Sequence, residues 1–336
     1  MCIRDRTQGN PFFVEEVFRH LLDADKLFDQ DGAWRSGFEI GETEVPQGVR
    51  MILERRLDQL DPEHRKILAT AAVIGRVFRF EPLAAASAVD EDTLFDVLEA
   101  AERLHLIEEV PTERDAGYVF VQEQIRQTLL GELSLPRRQR LHLRIADALE
   151  VGTTPPSAIE LAHHLYQAAQ AAPADRAAGA LVAAAETALE ALAFEDALRH
   201  LERAEVLVAD EGRLALRSAQ ARALRGSGRV DDALSVLDDE LAAPVDGVDA
   251  TPLRLQRIQL LLDQYRADVA LEDITRLLAE IDAGEHAEIE LDVRLANGRA
   301  HYILSLDDPD HALPARLAYE QAHAAAAGQG DKRAMA

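Results

Sequence analysis

The sequence predicts a mainly α chain in two parts: a helical domain carrying one β-hairpin, then a stack of helical hairpins. Three observations lead there. Alanine and leucine dominate while aromatic residues make up only 5%, and these two lose little side-chain freedom in a helix. Apolar residues recur at helical spacing along most of the chain. Finally, Phe194-Glu195-Asp196-Ala197-Leu198 has the local form of Val230-Asp231-Asp232-Ala233-Leu234.

Residues 1–6, Met-Cys-Ile-Arg-Asp-Arg, look foreign to the rest of the chain and read as a non-native leader on a fragment cut at both ends. A first helix is expected over 11–28, where Pro11 suits the opening turn because its missing N–H is no loss there. Residues 29–45 alternate weakly around Trp34 and Phe38, as a short hairpin or a loop. Pro46 opens a helix through Leu60, with Val49, Ile52, Leu53, Leu57 and Leu60 on one stripe. Asp61-Pro62-Glu63 is a start signal for the next helix, which ends near Gly75. Residues 91–104 form another, with Leu94, Val97, Leu98 and Ala101 inward. Apolar runs at 106–110 and 118–121 flank a polar turn that ends in Gly117, and read as two strands. Helices follow over 122–133 and 136–151. Helices, one hairpin and a further helix are the outline of a winged helix.

After Gly152-Thr153-Thr154-Pro155-Pro156 the helices come in pairs. Alanines recur at 197, 233, 270 and 312, at intervals of 36, 37 and 42 residues. That spacing predicts a tetratricopeptide-type α-α superhelix, in which each unit buries its apolar face on the next. Ala185 and Ala188 are expected to cross Ala197 and Ala204, and Gly226 with Gly228 to supply the second turn. A protein or peptide partner is expected on the concave face.

The chemistry is as informative for what it lacks. A phosphate-binding loop needs a Gly-rich turn ending in Lys-Ser or Lys-Thr. The three lysines, Lys26, Lys66 and Lys332, are followed by Leu, Ile and Arg. Catalysis by this chain is therefore not expected, and neither is a metal site. His163 and His164 are adjacent, so on a helix they point about 100° apart. One is expected packed and the other exposed. Arg137, Arg138, Arg140, His142 and Arg144 form a basic cluster that reads as a solvated face, with Leu141, Ile145 and Leu149 inward. The net charge of −25 argues against nucleic-acid or membrane contact. A single cysteine, Cys2, suits a cytoplasmic protein.

Thr7-Gln8-Gly9-Asn10-Pro11-Phe12-Phe13-Val14-Glu15-Glu16 resembles the end of the ATPase module in STAND-type signalling ATPases, multidomain regulators that include LuxR-type activators and proteins linked to class III adenylate/guanylate cyclases. The resemblance continues through Val45-Pro46-Gln47-Gly48-Val49-Arg50, Arg55 to Leu60, Ala71 to Phe78, Phe120 to Arg126, and Leu135 to His142. It implies that 7–45 end an ATPase module, that 46–150 are winged-helix-like, and that 157–336 are truncated tetratricopeptide-like repeats. It also implies ATP or ADP with Mg²⁺ in the intact parent, though no cofactor in this chain, and an intramolecular ATPase module as partner. Gly9, Asn10 and Pro11 would lie near the adenine. A histidine that reaches the nucleotide phosphate would fall at Gln122, which can donate a neutral hydrogen bond but cannot become cationic. The implied function is the regulatory and sensor segment of such an ATPase, in signal transduction or transcription regulation. The alternative is a freestanding repeat scaffold that never meets nucleotide.

Overall fold

The computed structural model describes residues 56–111, 117–152, 156–242, 249–284 and 286–329. The leader, the helix expected over 11–28, the segment 29–45, residues 46–55 of the helix expected through Leu60, and Gly9, Asn10 and Pro11 all lie outside them. The chain is mainly α and divides into two compact units, residues 1–172 and 173–336.

In the first unit, α1 (Pro62–Ile74) starts where Asp61 accepts a hydrogen bond from the Glu63 N–H at 2.9 Å and Pro62 fills the first turn. It stops at Gly75. The chain then makes β1 (Val77–Arg79), α2 (Phe80–Ser87) and α3 (Glu91–Arg103). Asp90 caps α3 through the Thr93 N–H at 2.8 Å, and Thr93 N–H and hydroxyl together hold its carboxyl below the usual carboxylate range. Then come β2 (Ile107–Val110), β3 (Gly117–Phe120), α4 (Glu123–Gly131), α5 (Leu135–Val151) and α6 (Ala158–Ala168).

The two expected strands are present, and a third joins them. The sheet is antiparallel in the order β1-β3-β2, with Phe78 opposite Tyr118 and Ile107 opposite Phe120. Helix, strand, two helices and a two-stranded hairpin in this order make a winged helix. Its core is aromatic at the sheet: the Phe78 ring stacks on Tyr118 at 5.7 Å and tilts against Phe120 at 5.4 Å. Leu94, Val97, Leu98 and Ala101 of α3 are buried against this core, as their spacing predicts.

Among the described residues the second unit is four consecutive hairpins, α7 (Ala174–Glu190) with α8 (Phe194–Glu205), α9 (Asp210–Gly226) with α10 (Val230–Ala242), α11 (Thr251–Asp263) with α12 (Ala267–Asp282), and α13 (Glu290–Ser305) with α14 (Ala312–Gln329). Ala197, Ala233 and Ala270 are each the fourth residue of a second helix, and each is fully buried. Ala185 and Ala188 are buried where α7 meets α8. The first three hairpin turns share one geometry. Leu192, Gly228 and Tyr265 take positive φ, and the next N–H closes back on the first helix: Ala193 to the Ala188 carbonyl at 2.8 Å, Arg229 to Leu224 at 2.8 Å, Arg266 to Leu261 at 2.9 Å.

Ala312 opens α14 and is exposed; Ala315, the fourth residue of that helix, is the buried counterpart of the other three alanines. α6, which follows 157, packs on α5 within the first unit.

Candidate functional site

The first helices of the second unit pack on one another in succession, α7 on α9, α9 on α11 and α11 on α13. Among the described residues no comparable contact joins α8 to α10. A stack packed more closely along one edge splays along the other, and a groove of about 550 Å³ opens between α8 and α10 over α9. It lies on the side of the stack that α8 and α10 form. Its floor is apolar, from Leu198, Leu224 and Val236. Glu195, Arg199 and Glu202 line one wall from successive turns of α8.

A polar network braces the groove. Glu240 of α10 is 2% exposed and accepts from Arg213 Nε at 2.7 Å, with Arg217 Nε at 3.6 Å from the same oxygen. Arg217 also pairs with Glu205 at 2.8 Å and donates to Gln220 at 2.7 Å. These contacts tie α8, α9 and α10 together and fix the groove walls. The other Glu240 oxygen is buried without a partner. Gly226, expected as a turn residue, is instead the last residue of α9, and the Phe194 ring lies on it so closely that a Cβ there would overlap the ring.

In the first unit, Leu141, Ile145 and Leu149 point inward as expected, but His142 is not part of a solvated basic face. It is 6% exposed and meets His164 of α6, itself 1% exposed, with the two Nδ1 atoms 2.9 Å apart. One Nδ1 must donate and the other accept, so the accepting ring is neutral, and burial of both rings favours the neutral form of the donor as well. Burial first, then the neighbouring His163, Arg138 and Arg126, push His142 down to about 4. Burial, then His142 and His163, push His164 down to about 3. His163 is exposed and His164 packed, as the adjacency predicted. The spacing of 22 residues between His142 and His164 crosses a helix turn and carried no periodic signal. Arg138 donates to the Leu130 carbonyl at 2.8 Å, closing the end of α4. Among the described residues no group of three or more His, Cys, Asp or Glu is placed to hold a metal ion, and no helix is long and apolar enough to cross a membrane.

Of the residues that the resemblance assigns to nucleotide, only Gln122 is described. It is the residue before α4, 7% exposed, and its side-chain oxygen is buried with no partner. An unpaired acceptor invites a donor; a phosphate oxygen is another acceptor.

The helix that corresponds in position to the groove-reading helix of nucleic-acid-binding winged helices is α3. It carries Glu91, Asp92, Asp96, Glu99 and Glu102 against one cation, Arg103. β2 adds exposed Glu108 and Glu109.

Fold and geometry thus define a class: a winged-helix unit with an acidic third helix, followed in the chain by helical hairpins that carry a braced groove. No protein-family model matches the chain, and no curated protein matches it. Among solved structures it is similar to a Signal Transduction ATPase with Numerous Domains (STAND) protein with a tetratricopeptide repeat sensor from Pyrococcus horikoshii, at 15% identity and a TM-score of 0.40. The match covers 98% of this chain and 51% of that one, so the chain spans about half the length of that protein.

Proposed function

We propose that this chain is the regulatory and sensor segment of a STAND-type ATPase, in signal transduction or transcription regulation. In this reading the hairpins receive a protein partner, and the winged-helix unit relays nucleotide state inside the parent molecule. The observation that carries it is the acidic α3. Five carboxylates against one arginine on that helix repel a phosphate backbone, so a winged helix of this charge serves protein contact rather than nucleic acid. The ordered series of motifs over 7–150 supports the same reading, since a plain scaffold has no need of them.

The chain itself supplies no catalytic site in this account. The grip on a triphosphate comes from upstream, from backbone N–H groups and a lysine of a phosphate-binding loop. The gene should therefore encode, in frame before Thr7, a G-x-x-x-x-G-K-[ST] loop between a strand and a helix. Reading outward from this locus in the source DNA tests it. An in-frame stop just before Thr7, or an upstream domain without the loop, overturns it. Calorimetry on this chain alone should show no ATP binding, and micromolar affinity would contradict the proposal.

A further inference from the structure

The groove between α8 and α10 has a charge pattern that selects its occupant. Three arginines line it, and each already faces a carboxylate: Arg199 pairs with Asp196, Arg217 with Glu205 at 2.8 Å, and Arg229 with Asp232 at 2.7 Å. Glu195 and Glu202 are different. Both are exposed on the groove wall, and among the described residues neither has an ion-pair partner. They stand seven positions apart, hence about 10 Å along one stripe of α8.

Beside them lies the floor of Leu198, Leu224 and Val236. Leu224 is buried, while Leu198 and Val236 are half-buried. A ligand that satisfies this arrangement carries positive charge at its tips and hydrocarbon along its length. Lysine and arginine side chains do so, since their stems cover apolar surface while their heads stay at the polar edge. A volume of about 550 Å³ admits a few such side chains, not a folded domain.

We infer that this groove binds a basic peptide segment, with lysine or arginine heads at Glu195 and Glu202 and their stems over Leu198 and Val236. The groove is preformed, because the Glu240, Arg213 and Arg217 network fixes α9 against α10 whether or not a ligand is present. The inference gives a chemistry to the partner-binding part of the proposed function. It rests on that part alone and not on the parent ATPase, so its failure would leave the search for an upstream loop undecided, and the reverse.

The test uses the full chain and a dye-labelled hexapeptide of alternating lysine and leucine, with a hexapeptide of alternating glutamate and leucine as control. Fluorescence anisotropy should show saturable binding of the basic peptide alone, weakening as salt rises. Glu195→Gln with Glu202→Gln should weaken it at least tenfold. Val236→Arg, which fills the floor with a fixed cation, should do the same without touching either glutamate. Asp307→Asn with Asp310→Asn, in the turn before α14, makes an equal change in net charge far from the groove along the chain and should leave affinity unchanged. No saturation, undiminished binding by the Glu195/Glu202 variant, or an equal loss in the Asp307/Asp310 variant would each overturn the assignment. The last would mean attraction to the bulk charge of −25 rather than to the groove.

Discussion

Replacing His142 and His164 together by glutamine should make the α5–α6 hairpin resistant to mild acid. The two imidazoles form a buried neutral pair, and their folded pKa values lie near 4 and near 3 against an ordinary 6.5. A folded value below the unfolded one means that unfolding takes up protons. Stability is therefore full above pH 6.5 and falls as the pH drops toward 4. Where both rings are neutral in the fold and charged in the unfolded chain, two protons per molecule give a slope of about 2.7 kcal/mol per pH unit. For His142 alone, a shift from 6.5 to about 4 corresponds to roughly 3 kcal/mol. Glutamine keeps a donor and an acceptor but does not titrate. Hydrogen exchange followed by mass spectrometry on peptides from 135–168, at pH 7, 6 and 5 and corrected for intrinsic exchange, reads the local opening free energy. The native chain should lose protection steeply between pH 6 and 5, and the glutamine pair should lose far less. Parallel losses in the two proteins would mean that carboxylates elsewhere carry the acid sensitivity, and the reasoning about this pair would fail.

Other outcomes concern the second unit. Gly226→Ala should cost about 1–3 kcal/mol, because the new methyl overlaps the Phe194 ring across the first two hairpins; thermal unfolding with Phe194→Ala in the same background should recover part of the loss. Glu240→Ala should cost about 1–3 kcal/mol in urea unfolding, since Arg213 loses its carboxylate beside a buried gap while Arg217 keeps Glu205, and Glu240→Gln should cost less. Leu192→Gly and Tyr265→Gly should each be neutral or stabilising by up to about 1 kcal/mol, because both side chains are exposed on left-handed backbone that Gly228 occupies without strain; a loss of stability on calorimetric melting would count against the shared turn geometry.

Much of the fold was legible because it follows periodicity. The stripe at Leu94, Val97, Leu98 and Ala101 and the paired apolar runs around Gly117 placed α3, β2 and β3 to within about a residue. Alanines 197, 233 and 270 marked the hairpins, since a small residue is needed wherever two helices approach closely. The fourth mark falls short of the buried position because the turn after α13 runs over 306–311, against three residues in each earlier hairpin turn, which moves that position from Ala312 to Ala315. β1 was not seen: three residues, Val77 to Arg79, are too few to show alternation, and the strand exists only by pairing with β3. The site was less legible still. The groove depends on which carboxylates are left without an arginine once the helices pack, and no sequence window contains that. The His142–His164 contact joins two helices across a turn, and only the packed structure reveals it.

In the proposed function the winged-helix unit relays nucleotide state. Hydrogen exchange on the intact parent protein, loaded in turn with ADP and with a non-hydrolysable ATP analogue, tests it most directly. Protection of 117–131, which holds β3, Gln122 and α4, should differ between the two states. Identical exchange there, in a parent shown to bind both nucleotides, would contradict the account.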